Sequence, residues 1–320
     1  MTAFLRSPIF WRARHVARQW ADTRVERPVA RAITVGTALR RERPDVLYFG
    51  DSSLIHVSPD DADKRRLGEM FAGESGRKTA QYYGPAYSAE VWGEFTRLIA
   101  DLPRPRCVVL SLCIRPATHR HVYEHPIFGY RSAVKALSSA RRPGPGLAAR
   151  LYKTPPGPEA YARYEALERK SRWGFAGTMG EYRSRLRGYD PATADEQSQQ
   201  VIYDYFHGEY SAGSPGLQHW RRFGERLRAL DVPVVAYRTY MPLDAGTRLL
   251  GEEFTPHVEE NFRLIEEQFF AGLGGGKPVY VDPPPDSSYI NCADATEHLN
   301  ETGRRRIVET LIEAVNERLA

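Results

Sequence analysis

Residues 107–112 read Cys-Val-Val-Leu-Ser-Leu, a nearly unbroken apolar run with two adjacent valines. Such a run is too short for a buried helix and lacks the alternation of a strand with one wet face. It predicts a strand covered on both sides. Four more segments predict strands. Asp45-Val46-Leu47-Tyr48-Phe49 ends at Gly50, Arg77 to Tyr83 ends at the turn Gly84-Pro85, and Val232 to Tyr237 and Val279-Tyr280-Val281 come later. Between them the apolar spacing predicts helices over 88–101, 217–230 and 258–270, and an amphipathic helix closes the chain over Thr302 to Leu319. Strands alternating with helices of about 10–15 residues signal βαβ units and a parallel sheet with helices on both faces. The predicted fold class is α/β: a three-layer α/β/α sandwich around a mostly parallel sheet. In such sheets chemistry belongs outside the carboxyl ends of the strands.

One stretch breaks this rhythm. Residues 116–216 contain no strong strand, and instead a His/Tyr-rich opening, the loop Arg141 to Gly146, Pro155-Pro156-Gly157-Pro158 and charged helical stretches. This predicts a mostly helical insertion after the third strand, of the kind that forms lids or caps at a catalytic edge. Its aromatic residues, Tyr152, Tyr161, Tyr164, Trp173, Phe175 and Tyr182, suit a lipid or a sugar.

The net charge of +5 is unevenly placed. Residues 1–44 hold ten arginines against Asp22, Glu26 and Glu42, while the rest of the chain is close to neutral. This divides the chain into a basic arm (1–44) and a domain (45–320) interrupted by the insertion. Ile9, Ala13, Val16, Ala17 and Trp20 recur at helical steps, with Arg12, Arg14 and Arg18 on other faces. An amphipathic helix of this kind docks on its own domain or on a partner subunit, which would make a homo-oligomer; attachment to an anionic membrane surface is the alternative. Helix-turn-helix, zinc-finger and RNP-like patterns are missing, so a nucleic-acid partner is not expected. Arginines 6, 12, 14 and 18 interrupt any signal-peptide core, and no run approaches the roughly 18 apolar residues of a membrane span. Cys107, Cys113 and Cys292 are too few and too scattered for a disulfide framework. A cytoplasmic protein is expected.

Two motifs carry chemistry. Phe49-Gly50-Asp51-Ser52-Ser53-Leu54 lies where the first strand passes into a helix. A serine there combines an exposed hydroxyl with a backbone N–H near a helix N-terminus, the needs of a nucleophile and an oxyanion donor. A helix-capping serine is the plainer reading. Asp294-Ala295-Thr296-Glu297-His298-Leu299-Asn300 lies at the other end, in a polar loop predicted after the final strand. An imidazole on that edge can accept a serine proton while a neighbouring carboxylate fixes its tautomer.

Together these motifs resemble the SGNH (GDSL-type) hydrolase superfamily over residues 46–315, which begins with Gly-Asp-Ser and ends with Asp-x-x-His before the last helix. The resemblance implies a flavodoxin-like fold, Ser52 as nucleophile, His298 as general base and then acid, and Asp294 as the group orienting His298. It also implies an oxyanion hole from the Ser52 and Gly84 amides. Arg115 stands in Cys113-Ile114-Arg115, where the family carries Gly-x-Asn. It can serve as a charged oxyanion donor, bind an anionic substrate group, or be structural. Asp294 precedes His298 by four positions where the family has three, so Glu297 or a backbone carbonyl is an alternative orienting group. No metal or organic cofactor is implied. Asp51, Ser53, His119 and His121 are expected near substrate. The implied activity is hydrolysis of an acyl ester, from a small molecule or a glycan, through an acyl-enzyme. The alternatives are O-acyl transfer to a sugar or other hydroxyl, and a catalytically silent binding protein.

The remaining motifs read more simply. His119, His121 and His125 could bind a metal but lack an accompanying acidic ligand pattern. His56 reads as a packed or solvated helix residue. Gly272 to Lys277 resembles a phosphate loop, but Pro278 follows the lysine where Ser or Thr is required, so it reads as a helix-to-strand turn.

Overall fold

Strand alternation sorts the apolar residues into two sets, and each set becomes one face of a sheet. In β1 (Val46–Gly50), Leu47 and Phe49 point to one side and Val46 and Tyr48 to the other. The same division runs through β3 (Cys107–Leu112), with Val108, Leu110 and Leu112 opposite Cys107 and Val109. In β4 (Val234–Arg238), Val234 and Ala236 lie opposite Val235 and Tyr237. With β2 (Thr79–Tyr83) and β5 (Val279–Val281) these strands form a parallel sheet in the order β2-β1-β3-β4-β5. Order reverses beside β1, so the switch point lies between β1 and β3, where the carboxyl-edge crevice belongs.

The computed structural model describes residues 27–58, 61–84, 87–114, 130–140, 213–241, 243–275, 279–281, 290–291 and 294–320. One face of the sheet is covered by α1 (Arg27–Arg41), α3 (Ala89–Ile99), α4 (Tyr130–Ser139), α5 (Pro215–Leu230) and α7 (Phe254–Gly272). The other carries α2 (Leu67–Glu74) and α8 (Glu301–Leu319), whose Ile307, Val308, Leu311 and Val315 fill the second core. A further helix, α6 (Leu243–Leu250), packs on α7. This is the three-layer α/β/α arrangement that the strand pattern predicts. Among the described residues no helix is long and apolar enough to cross a membrane.

Helix–helix contact on the first face depends on two glycines. A Cβ on Gly224 of α5 would lie 2.5 Å from the Phe269 carbonyl oxygen, and one on Gly272 of α7 would lie 2.1 Å from that of Arg221. The two backbones touch there, which lets Trp220, Phe223 and Phe269 interlock. At the base of the insertion, Arg97 of α3 donates to the carbonyls of Leu137, Ser138 and Ala140, capping the last turn of α4.

Two features differ from the sequence reading. Helix α1 lies inside the basic segment expected as an arm, yet Ala32, Val35 and Leu39 are buried in the first core, so the domain takes in residues from 27 onward. The Ile9–Trp20 helix expected upstream lies outside the described residues. An antiparallel pair, β6 (Ile290–Asn291) and β7 (Asp294–Leu299), follows β5, where the sequence reads only as a polar loop. Backbone pairing gives this polar segment its strand form without an apolar pattern to announce it. Of the insertion, α4 and residue 140 are described up to residue 212, and α5 begins at Pro215.

Candidate active site

Ser52 owes its position to three neighbours. Gly50 ends β1 at the carboxyl edge, and a Cβ there would fall 2.1 Å from Cδ1 of Leu54, so the glycine lets the chain fold back at once. The chain then enters a single 3-10 turn, Ser52–Leu54. Asp51 caps that turn: its Oδ1 accepts from the Ser53 amide at 2.9 Å and the Ser53 hydroxyl at 2.7 Å. Its Oδ2 accepts from the Cys113 thiol at 2.8 Å, tying the end of β1 to the end of β3. The Ser52 carbonyl accepts from the amides of Ile55 and His56, which closes the turn.

Beneath Asp51 the hydroxyls of Tyr48 and Tyr237 share a hydrogen bond of 2.8 Å. Burial pushes the ionisation of both phenols up, and the Asp51 carboxylate adds to the effect, so both remain neutral donors at ordinary pH. The floor of the site is therefore a buried polar layer in which Asp51 is held by hydrogen bonds.

His298 arrives from the other end of the chain on β7. It is 2% exposed, Ser52 is 5% exposed, and Nε2 lies 3.0 Å from the Ser52 Oγ. With the ring proton on Nδ1, Nε2 accepts the serine proton, the geometry a general base requires. Immediately afterwards the Asn300 side chain accepts from the Gly303 amide and caps α8. His56, read from sequence as a packed or solvated residue, stacks on His298 with ring centroids 3.8 Å apart and planes at 22°. His56 is exposed, so it covers the outer face of the buried imidazole. Its place four residues after Ser52 was the one signal available to sequence reasoning.

The strand register brings in Gly84. Tyr83 pairs with Gly50, so Gly84 follows directly at the level where Asp51 and Ser52 leave β1. Gly84 is buried, and a Cβ there would lie 2.4 Å from Cε1 of the Tyr87 ring, which occupies the space a side chain would need.

The structure thus brings together Ser52 and His298 and sets Gly84 on the adjacent strand. Asp51 and Ser53, expected near substrate, are both buried and direct hydrogen bonds to each other. Asp294 opens β7, opposite Asn291 and four residues before His298, but its side chain and that of Glu297 lie outside the described residues. Arg115, His119, His121 and His125 also lie outside them. Among the described residues no group of three or more His, Cys, Asp or Glu could hold a metal ion.

No protein-family model matches the chain. No curated protein matches it either. Among solved structures it is similar to the acetyl xylan esterase Est2A from the rumen bacterium Butyrivibrio proteoclasticus, at 9% identity and a TM-score of 0.35. The alignment covers 86% of this chain and 64% of that one, so the chain spans less than two thirds of that neighbour's length.

Proposed function

We propose that this protein is a serine-dependent acyl-ester hydrolase of the SGNH type. The observation that carries the reading is the 3.0 Å contact between Ser52 Oγ and His298 Nε2 at the carboxyl edge of a parallel sheet. The Ser52 oxygen attacks the ester carbonyl carbon as its proton passes to His298. The carbonyl electrons move onto the oxygen, which accepts from the Ser52 and Gly84 amides, with Arg115 as a third donor. Collapse expels the alcohol, which takes the proton from His298 and leaves an acyl group on Ser52. Water, activated by His298, then releases the acid. In this scheme Asp294 orients His298 through Nδ1.

The burial of Ser52 and His298 supports a second reading, O-acyl transfer, because a shielded acyl-enzyme reacts with a bound hydroxyl in preference to water. A fluorophosphonate probe tests the shared first step. Labelling of the wild type that vanishes in Ser52→Ala is expected, and an unlabelled wild type would leave a binding protein as the better account. An acyl ester is then followed with and without polyol acceptors. Acid release without acceptor indicates hydrolysis, and product only with acceptor indicates transfer.

A further inference from the structure

His298 sits on a two-stranded ribbon outside the main sheet, so the five-stranded ladder that fixes Ser52 does not fix its base. Something else must hold the two together to within roughly 0.5 Å for proton transfer. The segment after His298 contains a fully buried arginine, Arg304, in the first turns of α8. Its Nη1 donates to Asp61 Oδ2 at 2.6 Å and to the carbonyl of Leu299, the residue next to His298, at 3.3 Å. Its Nη2 donates to the Asp63 carbonyl at 2.8 Å. Asp61 and Asp63 belong to the loop that leaves the Ser52 turn. The other Asp61 oxygen accepts from the Glu301 amide at 2.8 Å, and Glu301 in turn accepts from the Asp63 amide at 2.7 Å.

A buried ion pair contributes little stability compared with apolar groups of the same volume, because both charges lose their hydration. What this pair does supply is a rigid, directional link between the chain that carries Ser52 and the chain that carries His298. Arg304 contacts three acceptors in two segments, which a hydrophobic residue could not do. We propose that Arg304, acting through Asp61, is a positioning residue that sets the separation of Ser52 and His298. It touches neither substrate nor reacting atoms, and the inference rests on Ser52 being the nucleophile.

The experiment measures the rate constant and the final extent of fluorophosphonate labelling in the full chain for wild type, Arg304→Lys, Asp61→Asn and the double variant. A control truncates the far core (Leu227→Ala, or the milder Ile99→Val), chosen to match the melting temperature of Arg304→Lys. Each single variant is expected to label about 10–100-fold more slowly at saturating probe, the penalty of a misplacement near 1 Å. Half-saturation should stay within about twofold and the final extent should remain complete. The double variant should be little slower than the slower single, because both break one link. The control should label at the wild-type rate. Wild-type rates in Arg304→Lys and Asp61→Asn overturn the proposal, as does an equal loss in the control or a change confined to half-saturation. Should Arg304→Lys fail to fold, Asp61→Asn reads the same link while leaving the other two acceptors in place. An unlabelled wild type overturns the nucleophile assignment itself, and is distinguishable because no variant is then involved.

Discussion

Gly84→Ala tests the site through a contact that can be measured in advance. The new methyl would lie 2.4 Å from Cε1, 2.6 Å from Cζ and 2.9 Å from Cδ1 of Tyr87. Ordinary contact needs about 1 Å more, so either the ring or the Gly84 backbone must move. The ring has little room: Tyr87 is fully buried with its centroid 5.3 Å from that of Tyr82, and Tyr82 is stacked on Phe95 at 4.0 Å. Forcing extra volume into such a cluster costs about 1–3 kcal/mol, which urea unfolding would report. If the backbone yields, the Gly84 amide shifts from the position that its proposed oxyanion role requires. Loss of an oxyanion donor slows acyl chemistry about 100–1,000-fold. Gly84→Ala should therefore lower both the urea midpoint and the turnover of an acyl ester. Adding Tyr87→Leu removes Cε1 and Cζ and should return part of the turnover. Wild-type turnover in Gly84→Ala would refute the claim that the backbone yields and takes an oxyanion donor with it, and an unchanged midpoint would refute the packing argument.

Two further outcomes are expected. Gly272→Ala puts a methyl 2.1 Å from the Arg221 carbonyl, and because that atom is backbone the α5 and α7 helices must part; a loss near the upper end of the 1–3 kcal/mol overpacking range (about 3 kcal/mol) should appear in urea unfolding, and an unshifted midpoint would contradict it. Acid should loosen the contact between α8 and residues 61–66. Hydrogen bonds from the Arg65 side chain hold the Asp63 carboxyl well below its usual range, and the Asp63 amide followed by Arg305 lowers that of Glu301. Carboxylates depressed in the folded state stabilise it above their unfolded values, near 4, and lose that effect as pH falls through their folded values. Amide protection in the first turn of α8 should thus fall below about pH 4, and constant protection down to pH 3 would refute the linkage.

The local patterns were legible where one segment decides its own structure. Residues 107–112 form β3 as read, and the glycine before Asp51-Ser52 ends β1 at the edge where a nucleophile belongs. Helix α1 was harder. Ala32, Val35 and Leu39 have helical spacing, but the surrounding arginines made the segment read as an arm, and only the groove beside β2 makes them core. Arg304 lies within Arg304-Arg305-Arg306, which reads as a solvated run, and its burial depends on Asp61 lying 243 residues away. The His56–His298 stack is hinted at only by the spacing of His56 from Ser52, since it needs the 3-10 turn and the β7 ribbon to be built first.

The contact that defines the site joins residues 246 positions apart. During synthesis at 5–20 residues per second, His298 follows Ser52 by roughly 12–50 s. Until α8 is made, the face of the sheet that Val46, Tyr48, Val109 and Tyr237 build in turn lacks the α8 side chains that later cover it. The nascent chain thus carries Ser52 without its His298 partner and a sheet face covered only by α2. The Ser52–His298 contact and the covering of that second face by α8 therefore arrive together, on one stretch of chain.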